Sequence, residues 1–177
     1  TYSSQSGALL LTMQGERDLD EFGRPRPVSD VDGDGIRDYL VASSLTATTD
    51  FGQEELFSGA NGALIYRWDG DHHGGFATSE AECGDLNGDG LTDLLVGGAG
   101  TTSESGYVYA YSGSDGSELF VLRGDRVDDN FGICVASVGD MNGDGVPEFL
   151  VGADVDDFAG KDAGYARLFS GKTARPL

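Results

Sequence analysis

The sequence predicts an all-β protein, and three observations carry that prediction. Acidic motifs of nine residues begin at residues 30, 85 and 140, so the chain repeats with a period of 55 residues. Each period contains four short apolar segments that are too short for helices and are bounded by Gly, Asp, Asn or Ser. No segment has the periodicity of a helix. Four antiparallel strands in each repeat are typical of a β-propeller blade, which is the architecture we predict.

The four predicted strands are clearest toward the end of the chain. The first strand is the alternating segment FGICVASVG at 131–139, and the second is EFLVGA at 148–153. The third strand is GYARLFSG at 164–171, and the fourth type is represented by ELFVL at 118–122. Each acidic motif therefore lies between the first and second strands of its repeat.

The repeats extend over the whole chain, which we predict to be a single propeller region, residues 1–177. The segment YSSQSGALLLTMQGERDLDEFG at 2–23 aligns without a gap with YSGSDGSELFVLRGDRVDDNFG at 111–132. The predicted repeats are residues 14–68, 69–122 and 123–177, and residues 1–13 are predicted to be a fourth strand that completes another blade. Because a closed propeller needs about four blades, we expect part of a longer propeller or half of a six-bladed homodimeric ring.

The composition favours cations as partners. The 177 residues include 31 Asp and Glu against 11 Lys and Arg, which gives a formal net charge of -20. This charge repels phosphate backbones and anionic lipids, so no nucleic acid is expected as a partner. No apolar run reaches the roughly 18 residues needed to span a bilayer, so no membrane insertion is expected. A hydrophobic content of 38% and an aromatic content of 10% argue for a folded protein.

The two cysteines, Cys83 and Cys134, occupy different places in the repeat, which argues against a framework of disulfides. We expect both to be buried free thiols. A bridge between them is the alternative.

The acidic motifs have the spacing of a cation-binding loop. Positions 1, 3 and 5 turn side-chain oxygens toward one point, and glycines at positions 4 and 6 permit the tight turn. Position 7 is apolar, and we assign it a backbone carbonyl ligand with its side chain turned into the blade. Position 9 supplies the last carboxylate, which is expected to be bidentate. The predicted ligands are Asp30, Asp32, Asp34, Ile36 and Asp38; Asp85, Asn87, Asp89, Leu91 and Asp93; and Asp140, Asn142, Asp144, Val146 and Glu148.

This donor set predicts calcium at three sites. Calcium accepts six to eight oxygens in irregular geometry, whereas magnesium requires a stricter octahedron and retains its waters. The loops contain no His or Cys, which argues against zinc. An EF-hand is also excluded, because its twelfth position should be Glu and the chain has Val41, Val96 and Val151 there.

The segments Phe131-Gly132, GDMNGDGVPEFLVGAD at 139–154 and GYARLFSG at 164–171 resemble the FG-GAP repeat, which occurs in the seven-bladed propeller of integrin alpha subunits and in many bacterial extracellular proteins. The resemblance covers nearly the whole chain. It implies calcium in the hairpin between the first and second strands, on the propeller face opposite the usual ligand-binding face. It also implies a secreted, extracellular or cell-surface protein.

The sequence departs from the usual FG-GAP pattern in four places. The first repeat has VASS where VGAP is typical, the second has Gly75-Phe76 in place of Phe-Gly, and no repeat has the proline. These changes bear on turn geometry and leave the ligands in place. Glu148 replaces the usual Asp at position 9 of the third loop, and its longer side chain is expected to shift the affinity of that site.

We expect a non-enzymatic module for adhesion or for recognition of a protein or carbohydrate, with calcium as a structural staple. The partner face would be formed by the second-to-third-strand loops and the fourth-to-first-strand turns, at the strand ends opposite calcium. These loops cover residues 44–51, 98–105 and 154–163, and the turns cover 16–21, 69–74 and 125–130. They are acidic and differ between repeats, as binding loops often do.

Two other functions are open at this point. The first is a propeller enzyme, such as a polysaccharide lyase or hydrolase, whose stacking surface, acids and base would be Trp68, Asp69, Asp71, His72 and His73. The equivalent turns QGERD and RGDRV contain no histidine, which favours a solvated turn instead. The second is a purely architectural role as a spacer or assembly domain.

Overall fold

The computed structural model describes residues 9–15, 22–43, 52–70, 75–100, 104–127, 129–155 and 163–177. Within these ranges all regular structure is β, in eleven strands that form three antiparallel sheets in chain order, one for each repeat. The same residues contain no helix with the length and apolar character of a membrane span. The predicted all-β fold of propeller blades is therefore confirmed.

Each sheet is a meander in which consecutive strands are neighbours. The first blade consists of β1 (Phe22–Pro27), β2 (Tyr39–Ser43), β3 (Gln53–Phe57) and β4 (Leu64–Asp69). The second consists of β5 (Gly75–Gly84), β6 (Asp93–Ala99), β7 (Tyr107–Tyr111) and β8 (Glu118–Arg123). The third has three strands among the described residues, β9 (Cys134–Gly139), β10 (Glu148–Ala153) and β11 (Tyr165–Phe169). The number of blades in a closed ring and the homodimer stay predictions.

The acidic motifs close hairpins, as the sequence predicts. The strand residues that flank the motifs face each other across the ladder: Pro27 pairs with Tyr39, Gly84 with Asp93, and Gly139 with Glu148. The short reversal between the first two strands of every blade therefore places all the predicted side-chain ligands within one loop.

Residues 9–15 are the described part of the predicted N-terminal strand. They form no regular strand, and they pack beside the first blade, where Leu11 contacts Gly62 and lines a cavity with Phe22 and Val41. The role of residues 1–13 in another blade stays a prediction.

The apolar cores lie between the blades. Leu40, Leu56 and Trp68 of the first blade meet Phe76, Leu94 and Tyr109 of the second. Because successive strand residues point to opposite faces, Leu95, next to Leu94, packs instead against the third blade, in a cluster with Phe131, Phe149 and Phe169. The middle blade is consequently covered on both faces, and every residue of β7 is buried.

The two cysteines are both free and differ in exposure. Cys83 is buried, and burial raises the pKa of its thiol. Cys134 is exposed on β9. The expectation of a buried thiol is therefore right for Cys83 and wrong for Cys134, because none of the six residues of β9 is buried: Val135 and Val138 are half-buried and the other four are exposed.

A carboxyl group is buried between the first and second blades. Glu54 on β3 is 0% exposed, and neither of its side-chain oxygens has a hydrogen-bond partner among the described residues. Nearby, Glu80 on β5 bonds through Oε1 to Arg26 Nε at 2.8 Å. Burial, and after it the charge of Glu80, raises the pKa of Glu54 well above the usual carboxyl value, while Arg24 and Arg26 oppose the shift.

Replacing Glu54 should remove a pH-dependent penalty on folding. A carboxyl whose pKa is raised by folding binds its proton more tightly in the folded state, so stability falls as pH rises from the ordinary carboxyl pKa through the raised value. We expect Glu54→Gln to unfold with a free energy at least about 1 kcal/mol higher than the unmodified chain near neutral pH, and to match it in acid. Denaturant titrations at a series of pH values measure the free energy of unfolding of the two proteins near neutral pH and in acid. Parallel pH profiles of the two proteins would contradict the expectation.

Candidate metal centres in three hairpin loops

The aspartate at position 1 organises each acidic loop. Asp30 Oδ1 accepts hydrogen bonds from the backbone N–H groups of Gly33 at 2.7 Å and Asp34 at 3.0 Å, and Asp30 Oδ2 accepts one from Gly35 at 2.8 Å. The other loops contain the same three bonds, from Gly88, Asp89 and Gly90 to Asp85, and from Gly143, Asp144 and Gly145 to Asp140. The loop backbone therefore wraps around one carboxylate in the same way three times.

Glycine is required at positions 4 and 6 by backbone conformation. Gly33 and Gly35 have φ angles of +79° and +89°, which residues with a Cβ rarely adopt. A Cβ added at either position would meet no atom within 4 Å, so space is not the constraint. The equivalent glycines of the other two loops have the same conformation.

Positions 3 and 5 cap the following backbone groups. Asp32 Oδ1 accepts the N–H of Asp34 at 3.1 Å, and Asp34 Oδ1 accepts the N–H of Ile36 at 2.8 Å. The second and third loops repeat these bonds with Asn87 and Asp89 and with Asn142 and Asp144. Such bonds favour the charged form: the N–H of Leu91 lowers the pKa of Asp89, and that of Gly145 lowers the pKa of Asp140.

Position 9 carries a carboxylate with no exposure to solvent. Asp38, Asp93 and Glu148 are each 0% exposed. Asp93 Oδ2 accepts the N–H of Leu86, at position 2 of the same loop, at 2.7 Å, while Oδ1 accepts the N–H of Gly113, in the turn after β7, at 3.1 Å. Burial raises the pKa of Asp93, and these bonds oppose the shift. The carboxylate thus ties the acidic loop to a second turn of its blade.

The first loop repeats this arrangement, and the third loop varies it. Asp38 bonds to Val31 at 2.7 Å and to Gly59 at 2.9 Å, as Asp93 does to its partners. Glu148 Oε2 accepts the N–H of Met141 at 2.7 Å, but Glu148 Oε1 accepts the side-chain amide of Asn142 at 2.8 Å. Both side-chain oxygens of Glu148 therefore accept hydrogen bonds from its own loop.

The loops bring oxygen donors close together. Ligand atoms of Asp30, Asp32 and Asp38 all lie within 4.8 Å of one another, and so do those of Asp140, Asp144 and Glu148. In the second loop an amide oxygen of Asn87 stands where the first loop has a carboxylate. A carboxylate oxygen that accepts one N–H retains a further lone pair, so these residues can also coordinate a cation. Donor sets made of oxygen fit a hard divalent ion.

The side chains at position 7 differ from the prediction. Ile36 is 50% exposed and Leu91 is 38% exposed, while Val146 is half-buried. The expectation that position 7 turns into the blade is wrong for Ile36 and Leu91. The side chains of Ile36 and Leu91 lie at the outer surface of their loops, whereas Val146 packs against the cluster between the second and third blades. The proposed ligand at this position is the main-chain oxygen, so the exposed side chain leaves that assignment untouched.

A serine that follows the third strand is an additional loop neighbour. Ser58 Oγ lies 3.4 Å from Asp34 Oδ2, and Ser112 Oγ lies 3.4 Å from Asp89 Oδ2, which are weak hydrogen bonds to position 5. The sequence contains a signal for these residues, because Ser-Gly recurs after the third strand at 58, 112 and 170.

The predicted partner face lies largely outside the described residues, which omit 16–21, 44–51, 71–74, 101–103, 128 and 156–162. Asp71, His72 and His73 of the alternative enzyme site fall in these gaps. Trp68 is described and is only 8% exposed: its ring stacks on Tyr111 at 4.8 Å and its Nε1 donates to Gly116 O at 2.8 Å. The expectation of a stacking surface at Trp68 is wrong, because the ring faces the second blade.

The position 9 carboxylate should support folding even without a cation. Asp93→Asn replaces one of the two buried acceptor oxygens with an amide N–H₂, which then faces a backbone N–H and cannot accept a hydrogen bond from it. We therefore expect the free energy of unfolding, measured in the presence of a chelator, to fall by about 1 to 3 kcal/mol. The matched control is Asp89→Asn, at an exposed position of the same loop, whose cost in chelator should be below about 0.5 kcal/mol. Equal losses for the two variants in denaturant titrations would show that Asp93 has no such role.

The chain is similar in sequence to proteins of one repeat class. A family described as FG-GAP-like repeat matches residues 85–151, which include the second and third acidic loops. Integrin alpha-V of Gallus gallus is 27% identical over 184 residues, which cover 97% of this chain and 17% of that protein. Integrin alpha-2 of Bos taurus is 28% identical over 163 residues, which cover 82% of this chain and 14% of that protein. The chain spans less than a fifth of the length of these curated relatives.

Solved structures with a similar fold include two polysaccharide-processing enzymes. Rhamnogalacturonan lyase YesW matches with a TM-score of 0.56 and 13% identity, covering 88% of this chain and 33% of that one. A rhamnogalacturonan lyase of Bacillus licheniformis matches with a TM-score of 0.55 and the same identity and coverage. At this identity the likeness concerns the fold alone.

Proposed function

Because the chain consists of FG-GAP-type repeats folded as β-propeller blades, we propose that it is a non-catalytic, calcium-binding module of an extracellular or cell-surface protein. Calcium in the three acidic loops stabilises the blades, and the opposite face recognises a protein or carbohydrate. The observation that supports this most strongly is the recurrence of one hydrogen-bonded acidic loop, which gathers three carboxylates within 4.8 Å in two of its copies.

The loops need a cation for electrostatic reasons. In the first loop four aspartates occupy nine residues, and backbone N–H groups surround Asp30, Asp32 and Asp34. Like charges at these distances repel each other, and a bound divalent ion replaces that repulsion with attraction. Calcium fits better than magnesium because it accepts more oxygens in less regular geometry, and the donors include both carboxylate and main-chain oxygens.

The ligands are those of the sequence prediction. The side-chain oxygens at positions 1, 3 and 5, the main-chain oxygen at position 7 and the carboxylate at position 9 would hold the ion. The carboxylate at position 9 also bonds to the turn after the third strand in the first two blades. Binding at the hairpin therefore stabilises three strands of the blade rather than two.

The relatives support an adhesion-type role outside the cell. Two of the similar proteins are integrin alpha chains. Extracellular calcium modules typically bind with dissociation constants of about 0.1 to 1 mM, which keeps such sites filled where calcium is abundant. The face opposite the acidic loops would bind the partner, because the sequences of the loops on that face differ between repeats.

Calcium should raise thermal stability. Binding to the folded state alone contributes RT ln(1 + [L]/Kd), or about 2.7 kcal/mol for each site when calcium is 100-fold above Kd. For a chain of this size that corresponds to an increase in Tm of about 5 to 10 °C for each site. Scanning calorimetry with calcium, and with magnesium at equal ionic strength as the control, measures the increase. An unchanged Tm at calcium concentrations 100-fold above Kd, about 10 to 100 mM for the dissociation constants given above, would refute the metal assignment.

The absence of catalysis is tested with the substrate class of the lyases that share the fold. We expect no release of unsaturated products from rhamnogalacturonan in the presence of calcium, followed by ultraviolet absorbance, because the buried Trp68 offers no exposed stacking surface. Product formation that disappears in a His72→Ala, His73→Ala double variant would favour the enzyme instead.

A further inference from the structure

The residue at position 2 of an acidic loop packs on the neighbouring blade. Val31 is 4% exposed and contacts Gly113, where an added Cβ would lie 3.4 Å from Val31 Cγ1. Leu86 is 9% exposed and contacts Gly171 in the same way, at 2.7 Å from Leu86 Cδ2. Both glycines lie in the turn that follows the third strand of a blade. Each of these two loops therefore touches the next blade at the same structural point.

Gly113, which Val31 contacts, also belongs to the second metal centre. Its N–H donates to Asp93 Oδ1 at 3.1 Å. Gly113 lies so close to the carbonyl oxygen of Thr92 that an added Cβ would overlap with it. Groups packed this closely move together, so a displacement of the turn by Val31 reaches the carboxylate of Asp93.

Asp93 continues the path toward the third blade. Its Oδ2 accepts the N–H of Leu86 at 2.7 Å, and the Leu86 side chain packs on Gly171. A continuous series of contacts thus leads from the first acidic loop through the second to the third blade.

Coupling requires an element whose arrangement differs between the filled and the empty loop. Under the proposed binding, a cation would draw the carboxylates at positions 1, 3 and 5 together, whereas their mutual repulsion would act on the same loop in its absence. We expect the contact of Val31 with Gly113 to differ in free energy between the two states, and the affinity of the next loop to differ with it.

We propose that Val31 and Leu86 are positioning residues that couple cation binding between adjacent blades, so that filling one loop raises the affinity of the next. This inference rests on the proposed binding of calcium. It gives a role to apolar side chains that contribute no ligand atom.

The junctions are not equivalent. At the second junction, Glu148 Oε1 bonds to Asn142 in its own loop, whereas the equivalent oxygen of Asp93 bonds to the turn. The coupling should therefore be stronger between the first and second loops than between the second and third. Met141 occupies position 2 of the third loop, is 65% exposed, and serves as an internal control.

The test is a calcium titration by calorimetry in an Asp140→Asn, Asp144→Asn background, in which the first two loops are the only intact ones. We expect a Hill coefficient above 1. Val31→Ala should lower the Hill coefficient to 1 and weaken the calcium affinity of the second loop about fivefold. Val31→Leu should preserve the cooperativity, because leucine makes the same contact at position 86. Circular dichroism confirms that each variant is folded.

A double-mutant cycle separates coupling from local damage. Disabling the first loop with Asp30→Asn, Asp34→Asn, the same positions that are changed in the third loop of the background, should weaken calcium binding by the second loop about fivefold, and adding Val31→Ala should cause no further loss. Met141→Ala in the otherwise unmodified chain should leave the first two affinities unchanged. If the two loops bind calcium independently, or if the losses of affinity from the two sets of substitutions add fully, the coupling is overturned and calcium binding is not. A chain that takes up no calcium would overturn the proposed function and the coupling with it.

Discussion

The structure depends on a buried carboxylate at the ninth position of each acidic loop. Asp38 and Asp93 each accept hydrogen bonds from the N–H groups of the loop and from one N–H in the turn after the third strand. Two turns that are distant in sequence are held in this way by a single side chain. A buried charge is stable only when its surroundings supply such bonds, which is why glycine N–H groups stand where another side chain would prevent the approach.

In the proposed function the same residues would serve two purposes that place opposite demands on charge. Backbone N–H groups surround the side chains at positions 1, 3 and 5, and the acidic side chains among them concentrate negative charge in a small space. A divalent cation would convert the cost of that concentration into binding free energy. The folding of the hairpin and the proposed affinity for the ion would then be two aspects of one arrangement.

Packing between blades is equally important because no single blade has a core of its own. β6 and β7 place alternate residues into the clusters on either side, so the second blade connects the first to the third. The position 2 side chains extend this packing to the loops. Glu54 and Glu80 lie within the same region between blades and show that it also contains carboxyl groups.

The sequence by itself determined the repeat, the four-stranded unit and the places of the acidic residues and glycines in each loop, because these are local features of the chain. Period-2 alternation, glycines at positions that need positive φ, and oxygen donors at alternate positions are all visible within a few residues. The positions of the strands β8 to β11 agree with the four segments predicted toward the end of the chain.

Only the tertiary structure decided how those local units meet. The exposure of Ile36 and of Cys134, the burial of Trp68 against Tyr111, and the contact of Val31 with Gly113 depend on which blade lies opposite each face. Those contacts join residues that are far apart in the chain. Their energies depend on the surface that is buried between two blades, which the spacing of residues along the chain does not reveal. Local chemistry therefore specified the loops, and the packing of one blade on another specified what surrounds them.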